Sequence, residues 1–200
     1  MLKVALTGGI ATGKSYVLAR FRRHGVPCLD ADELSHGVTA SGTEATTAIA
    51  ARFGADVLAA DGSVDRSKLG PIVFGDPGAR RDLEEIVHPA VQRAITAGLR
   101  GFELVGDGAF AIVDIPLLFE TGGEGQFDRV IVTACAPEVQ LARLRARGLS
   151  ADAARLRLAA QWPTERKTSR ADFVIATDGT FEETDRQIER VMTELNDPKV

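Results

Sequence analysis

Two hundred residues with 44% hydrophobic content are enough for one packed α/β core with a smaller appendage, and too few for several independent domains. A net charge of −4 leaves no general basic field to hold nucleic acid or an anionic membrane, so neither is an expected partner and any anion must be held locally. Two cysteines, Cys28 and Cys135, without an export signal argue against a disulfide framework; no apolar run reaches the roughly eighteen residues of a membrane span, and the expected location is the cytoplasm.

The chain begins with an apolar run, Leu2 to Thr7, that reads as a strand and delivers Gly8-Gly9-Ile10-Ala11-Thr12-Gly13-Lys14-Ser15. This stretch fits G-x-x-x-x-G-K-[ST] at every fixed position, and a helical pattern, Lys14 to His24, follows it. Such a strand-loop-helix unit turns backbone N–H groups and the positive helix end onto a phosphate. Lys14 is then expected on the β- and γ-phosphates and the Ser15 hydroxyl on Mg²⁺, which implies binding of a nucleoside triphosphate.

A second strand, Val26 to Leu29, runs into Asp30-Ala31-Asp32. Residues two apart in extended chain point the same way, so both carboxylates can face the edge where α/β sheets bind ligands. One carboxylate there can take the proton of an acceptor hydroxyl while the other helps to hold Mg²⁺; the competing reading is that Asp32 caps a helix beginning at Glu33. From Leu29 to Phe110 no strand pattern appears, and helical patterns occupy Thr43 to Phe53, Ser67 to Phe74, and Pro77 onward after an Asp76 cap. A crossover needs only a dozen or so residues, so this interval reads as an inserted helical subdomain suited to a second substrate. Within it, Pro89 is expected to interrupt the helix and to give His88 a backbone-bonded structural role.

Phe110 to Asp114, Val130 to Thr133 and Phe173 to Ala176 complete five short strands, each apolar on successive positions as buried parallel strands are. Asp114 closes its strand as a second acidic element that holds Mg²⁺ or orients Ser15. Helices at Pro137 to Arg147 and from the capping box Thr180-x-x-Glu183 to Leu195 alternate with the strands. The segment 137–170 carries +5 in an acidic chain. Arg143 and Arg147 lie four apart on one helix face and are expected on the polyphosphate, whereas Arg145, Arg157 and Arg170 read as solvated; Trp162 reads as a core or hinge residue.

Gly8 to Ser15, Leu29-Asp30-Ala31-Asp32, Val73-Phe74, Val87-His88-Pro89, Asp114-Ile115-Pro116-Leu117-Leu118-Phe119-Glu120, Gln161 and Ala171-Asp172-Phe173-Val174-Ile175 together resemble the dephospho-CoA kinases, in that family's order and spacing. The resemblance implies an α/β P-loop kinase of the adenylate-kinase type, with a five-stranded parallel sheet flanked by helices, a helical substrate-binding insertion and a helical lid. Core segments are expected at 1–32, 109–136 and 171–200, a CoA-binding insertion at 33–108 and the lid at 137–170. It implies that dephospho-CoA is the small-molecule partner, phosphorylated at its 3′-hydroxyl by ATP with Mg²⁺ in the last step of coenzyme A synthesis.

Carried over to this sequence, Asp32 is the implied catalytic base, Asp30 its support with Mg²⁺, and Arg143 the lid arginine. Lys14 and the amides of Ala11, Thr12, Gly13, Ser15 and Tyr16, with Arg147, are the implied ATP contacts. Ala11-Thr12 stand where the family has Gly-Ser or Gly-Ala, and Ala11 lacks glycine's freedom at positive φ; Thr177 stands where the family has Asn. Another small-molecule P-loop kinase, acting on a nucleoside monophosphate, shikimate or gluconate, would share the chemistry and differ in the acceptor; so long a helical insertion suits a large acceptor better than shikimate. A GTP-binding switch needs Asn-Lys-x-Asp, and the single Asn, Asn196, is in the wrong context; an inactive scaffold would not keep Lys14 and the carboxylates. Nothing in the sequence fixes the oligomeric state, and a monomer or weak homo-oligomer is expected.

Overall fold

A computed structural model describes residues 1–106 and 108–197; residue 107 of the expected insertion and 198–200 at the end of the expected core lie outside the described residues. In chain order, β1 (Leu2–Gly8), α1 (Lys14–Arg23) and β2 (Cys28–Asp30) are followed by four helices: α2 (Ala31–Val38), α3 (Glu44–Phe53), α4 (Arg66–Gly75) and α5 (Pro77–Val105). The second half runs β3 (Phe110–Asp114), β4 (Arg129–Ala134), α6 (Pro137–Ala146), α7 (Ala151–Ala159), α8 (Thr164–Thr168), β5 (Phe173–Ala176) and α9 (Phe181–Leu195). Two compact units result, Met1–Leu29 with Phe102–Val200, and Asp30–Gly101.

The five strands form one parallel sheet in the order β2-β3-β1-β4-β5. Sequence order reverses at β1, which places the loop after β1 at the switch point where ligands of open α/β sheets bind. β1 is buried on both faces, which is why its sequence is continuously apolar rather than alternating. Val4 and Leu6 pack on one face with Val17, Phe21, Ile188 and Leu195 of α1 and α9, while Ala5 packs on the other with Leu118, Phe119 and Val132. α9 offers Thr184, Ile188, Val191 and Leu195 to this core at helical spacing, and the Thr180–Glu183 capping box closes its N-terminus in both directions.

The Asp30–Gly101 unit is helical and holds a second apolar cluster around Ile49, Val57 and Leu69. α5 corrects the expectation at Pro89: the helix runs through it from Pro77 to Val105. Proline removes one intrahelical hydrogen bond, and here Ala90, Ile95 and Leu99 beyond it are buried, so packing on both sides carries the helix past the break. Asp30, not Asp32, caps α2, its Oδ1 accepting from the N–H groups of Asp32 (2.8 Å) and Glu33 (3.2 Å). Among the described residues no helix is long and apolar enough to cross a membrane.

Candidate active site

The loop between β1 and α1 is shaped by two glycines, Gly8 and Gly13. A Cβ on Gly8 would lie 2.1 Å from Thr133 Oγ1, and Gly13 turns into α1 at φ +85°. Ala11 also takes a left-handed conformation at φ 61°, alone among the described non-glycine residues, so the loop reaches its shape without the glycine that the resemblance leads one to expect there. The Ala11 methyl is buried in a small cluster with Leu144 and Ala154.

Side chains far away in sequence tie the loop down. Gln161 Oε1 accepts from Ile10 N at 2.8 Å, and Gln140 Nε2 donates to Ile10 O at 2.7 Å. Arg143 Nη1 donates to Ala11 O at 3.1 Å and to Thr177 Oγ1 at 3.2 Å, while Nη2 donates to Thr177 O. Thr177 Oγ1 in turn donates to Thr12 O at 2.6 Å. Thr12 Oγ1 lies 2.7 Å from both Gly9 O and Thr133 Oγ1. The Thr12 amide is used within the loop, on Gly9 O, and the Tyr16 amide on Gly13 O. The amides of Ala11, Gly13, Lys14 and Ser15 meet no acceptor among the described residues. Four such donors at a helix N-terminus are what an anion site requires.

Lys14 Nζ sits 2.5 Å from both carboxylate oxygens of Asp114, which ends β3 beside Leu6 of β1. Ser15 is exposed in the first turn of α1. A cavity of about 430 Å³ opens beside the loop, lined by Gly13, Tyr16, Arg143, Arg147, Thr177 and Phe181 among others. The Tyr16 and Phe181 rings meet there at 4.7 Å between centroids, and Tyr16 OH donates to Asp185. Arg143 of α6 and Arg147, which caps its C-terminus, both line this cavity; Arg145 and Arg157 are exposed. Arg170 is exposed as well, and pairs with Glu124 at 2.7 Å.

Sequence reasoning missed the structural part of the basic segment. Lys167 is fully buried, its ammonium 2.8 Å from Glu120 Oε1 but off the line of an ideal hydrogen bond. Glu120 Oε1 also accepts from Trp162 N, and Trp162 stacks on Phe119 with Arg166 over its ring. Burial pushes the Glu120 pKa up, but Lys167 and the Trp162 N–H outweigh it and hold the carboxyl below its ordinary range. Both cysteines are free; burial raises the thiol pKa of each, that of Cys28 to about 12, which keeps them unreactive core residues.

In the helical unit, Asp32 is exposed on the first turn of α2 and Asp30 is committed to its cap. A separate cavity of about 350 Å³ is lined mainly by apolar residues, including Ile49, Leu69, Val73 and Val87, with Arg66 and His88 on its wall. His88 therefore faces a cavity, where the sequence reading gave it a backbone-bonded role. Among the described residues no three His, Cys, Asp or Glu converge as a metal cage.

A family model described as dephospho-CoA kinase matches residues 2–183. A dephospho-CoA kinase of Geobacillus kaustophilus is 46% identical over 189 residues, which cover 94% of this chain and 93% of that one. A crystal structure from Thermus thermophilus is 33% identical, with a TM-score of 0.82 and 98% of each chain covered. The structure of dephospho-CoA kinase from Campylobacter jejuni is 28% identical, with a TM-score of 0.76, and covers 99% of this chain and 98% of its own. With the family model spanning nearly the whole chain, and the phosphate loop and Asp114 in place at the switch point, the chain belongs to the dephospho-CoA kinase family.

Proposed function

We propose that this protein transfers the γ-phosphoryl group of ATP to the 3′-hydroxyl of dephospho-CoA, giving coenzyme A and ADP in the last step of that synthesis. The observation that carries this reading is the phosphate loop, whose free amides converge beside Lys14 in a chain of this family. ATP places its phosphates on the amides of Ala11, Gly13, Lys14 and Ser15, and its nucleoside in the cavity beside Tyr16 and Phe181. The apolar cavity of the helical unit receives part of the acceptor, with Arg66 and His88 as its polar contacts.

The residues present suit a hard cation: the Ser15 hydroxyl and the Asp114 carboxylate are oxygen donors, and with no cage among the described residues the remaining ligands would be water and phosphate oxygens. Mg²⁺, when bound, neutralises charge on the β- and γ-phosphates. Lys14 exchanges its contact with Asp114 for those same phosphates. Arg143, as the lid arginine, and Arg147 lend positive charge beside the loop. Asp32 takes the proton of the acceptor hydroxyl as its oxygen bonds to the γ-phosphorus and the bridging P–O bond to ADP breaks. A loose transition state asks for alignment and charge more than for a strong base, so an exposed carboxylate suffices.

The test is ADP release from MgATP with dephospho-CoA as acceptor, run beside AMP, CMP, shikimate and gluconate. Turnover with dephospho-CoA alone, with one coenzyme A formed per ADP, is the expected result. Turnover with one of the other acceptors and none with dephospho-CoA would overturn the substrate assignment.

A further inference from the structure

Three consecutive carbonyls of the loop, those of Ile10, Ala11 and Thr12, each accept a hydrogen bond from a side chain outside it: Gln140, Arg143 and Thr177. In a planar trans peptide the C=O and the next residue's N–H point in opposite directions. A carbonyl drawn outward therefore turns the following amide inward. Gln140 on Ile10 O aims the amide of Ala11, and Thr177 on Thr12 O aims that of Gly13, two of the donors without a protein acceptor. Gln161 does the converse: by accepting from Ile10 N it withdraws that amide, so that the cup begins at Ala11.

We propose that Gln140, Gln161 and Thr177 are positioning residues for the nucleotide's phosphates, fixing which loop amides face them. The inference rests on the loop's reading as a phosphate cradle. It goes beyond that reading by assigning the cradle's geometry to side chains 130, 151 and 165 residues away from the atoms they hold. None of the three touches the reacting atoms. Thr177 fills this role with a hydroxyl: it sits directly after β5, and its side chain lies 3.3 Å from where a Gly13 Cβ would be, close enough to reach the loop backbone. Gln140 is buried, and Thr164 Oγ1 lies 3.5 Å from its Oε1, which keeps its amide nitrogen directed at Ile10.

The experiment measures calorimetric affinity for MgADP, inorganic tripolyphosphate and adenosine in the full chain and in Gln140→Leu, Thr177→Val and Thr177→Ser. Losing one donor leaves a loop carbonyl unpaired and its peptide free to turn, so Gln140→Leu and Thr177→Val should each weaken tripolyphosphate and MgADP about tenfold. Thr177→Ser keeps the hydroxyl and should bind within about threefold of the parent. Gln140 does not line the nucleoside cavity, so adenosine affinity should be unchanged in Gln140→Leu. Tripolyphosphate affinity within twofold of the parent in Thr177→Val or Gln140→Leu would overturn the inference, as would equal losses for adenosine and tripolyphosphate in Gln140→Leu. Should Gln140→Leu fail to fold, the Val–Ser contrast at Thr177 decides. A parent chain that binds no tripolyphosphate overturns the phosphate cradle as well, whereas turnover with dephospho-CoA is read separately and tests only the acceptor.

Discussion

The phosphate loop and the helical unit are held together by different means. Beyond the Thr12–Gly9 bonds within it, the loop's polar bonds come from α6, from Gln161 beyond α7, from Thr133 of β4 and from Thr177 after β5, all remote in sequence. The helical unit is stitched mainly by local polar bonds, Asp30 on α2, Thr43 on α3 and Asp65 on α4, around apolar packing, and its cavity has an apolar wall. A loop fixed by oriented donors suits one invariant anion, because misplaced amides lose hydrogen bonds outright. An apolar wall recognises shape, and discriminates by only about 1–3 kcal/mol per methylene. Changes in the loop should therefore alter chemistry, and changes in the apolar wall of the helical unit's cavity should alter acceptor choice.

The largest expected effect is at Lys14. Lys14→Ala removes the cation from the β- and γ-phosphates and leaves Asp114 without its ammonium partner, so kcat/KM should fall by about 10³ and ATP affinity with it. Steady-state kinetics with direct ATP binding checks this, and preserved turnover would dismiss the loop as the catalytic element. Asp32 sharpens the contrast from the other side. Asp32→Asn should lower kcat roughly a hundredfold, the low end for general-base loss because the transition state is loose, and leave ATP affinity within about twofold. Equal turnover in variant and parent would remove Asp32 from the mechanism.

A third substitution tests the buried pair that neither binds substrate nor belongs to the loop. Lys167→Met leaves Glu120 without its ammonium, and because Glu120 keeps 15% of its side-chain exposure the loss should be about 2–3 kcal/mol, somewhat below that of a fully buried pair. Urea unfolding at pH 7 measures it. The pH dependence follows from the depressed pKa of Glu120: the pair's contribution is present above the ordinary carboxyl value of 4.5 and is lost as pH falls through the lower folded-state value. The gap between parent and Lys167→Met should therefore narrow below pH 4.5, and a gap that stayed constant would place the effect in packing rather than charge.

What could be read from the sequence was what short stretches settle. The strand before Gly8, the loop motif, Pro137 opening α6 and the Thr180–Glu183 box are all local patterns, and each lies where its pattern put it. Asp30 and Asp32 were legible as a pair, but which of them caps α2 depends on where the helix begins, and a shift of two residues exchanges their roles. Lys167 looked like one more cation of a basic segment, since nothing in Arg166-Lys167-Thr168 announces a carboxylate 47 residues earlier in the chain. Gln140 and Gln161 carried no signal as loop partners, because a glutamine on a helical stretch is ordinarily a solvent-facing residue. Pro89 misled for the opposite reason: the local rule was sound, and a 29-residue helix packed on both sides overrode it.

The smallest expected effect is at Ala11, where the loop departs from the family's glycine. Its φ of 61° costs an alanine about 1 kcal/mol that glycine would not bear. Against this, Ala11→Gly would expose no new polar group but would give up a buried methyl worth about 0.8 kcal/mol and add about 0.5–1 kcal/mol of unfolded-state entropy. These terms nearly cancel, so the unfolding free energy should change by less than about 1 kcal/mol, toward destabilisation, and ATP affinity should not move beyond twofold. Arg143 and Gln140 hold the carbonyls on either side of Ala11, so the loop keeps its shape whichever residue stands there. A marked gain in ATP affinity in Ala11→Gly would mean that the alanine strains the amides away from the phosphates, and that the side-chain bonds around the loop do not by themselves set its geometry.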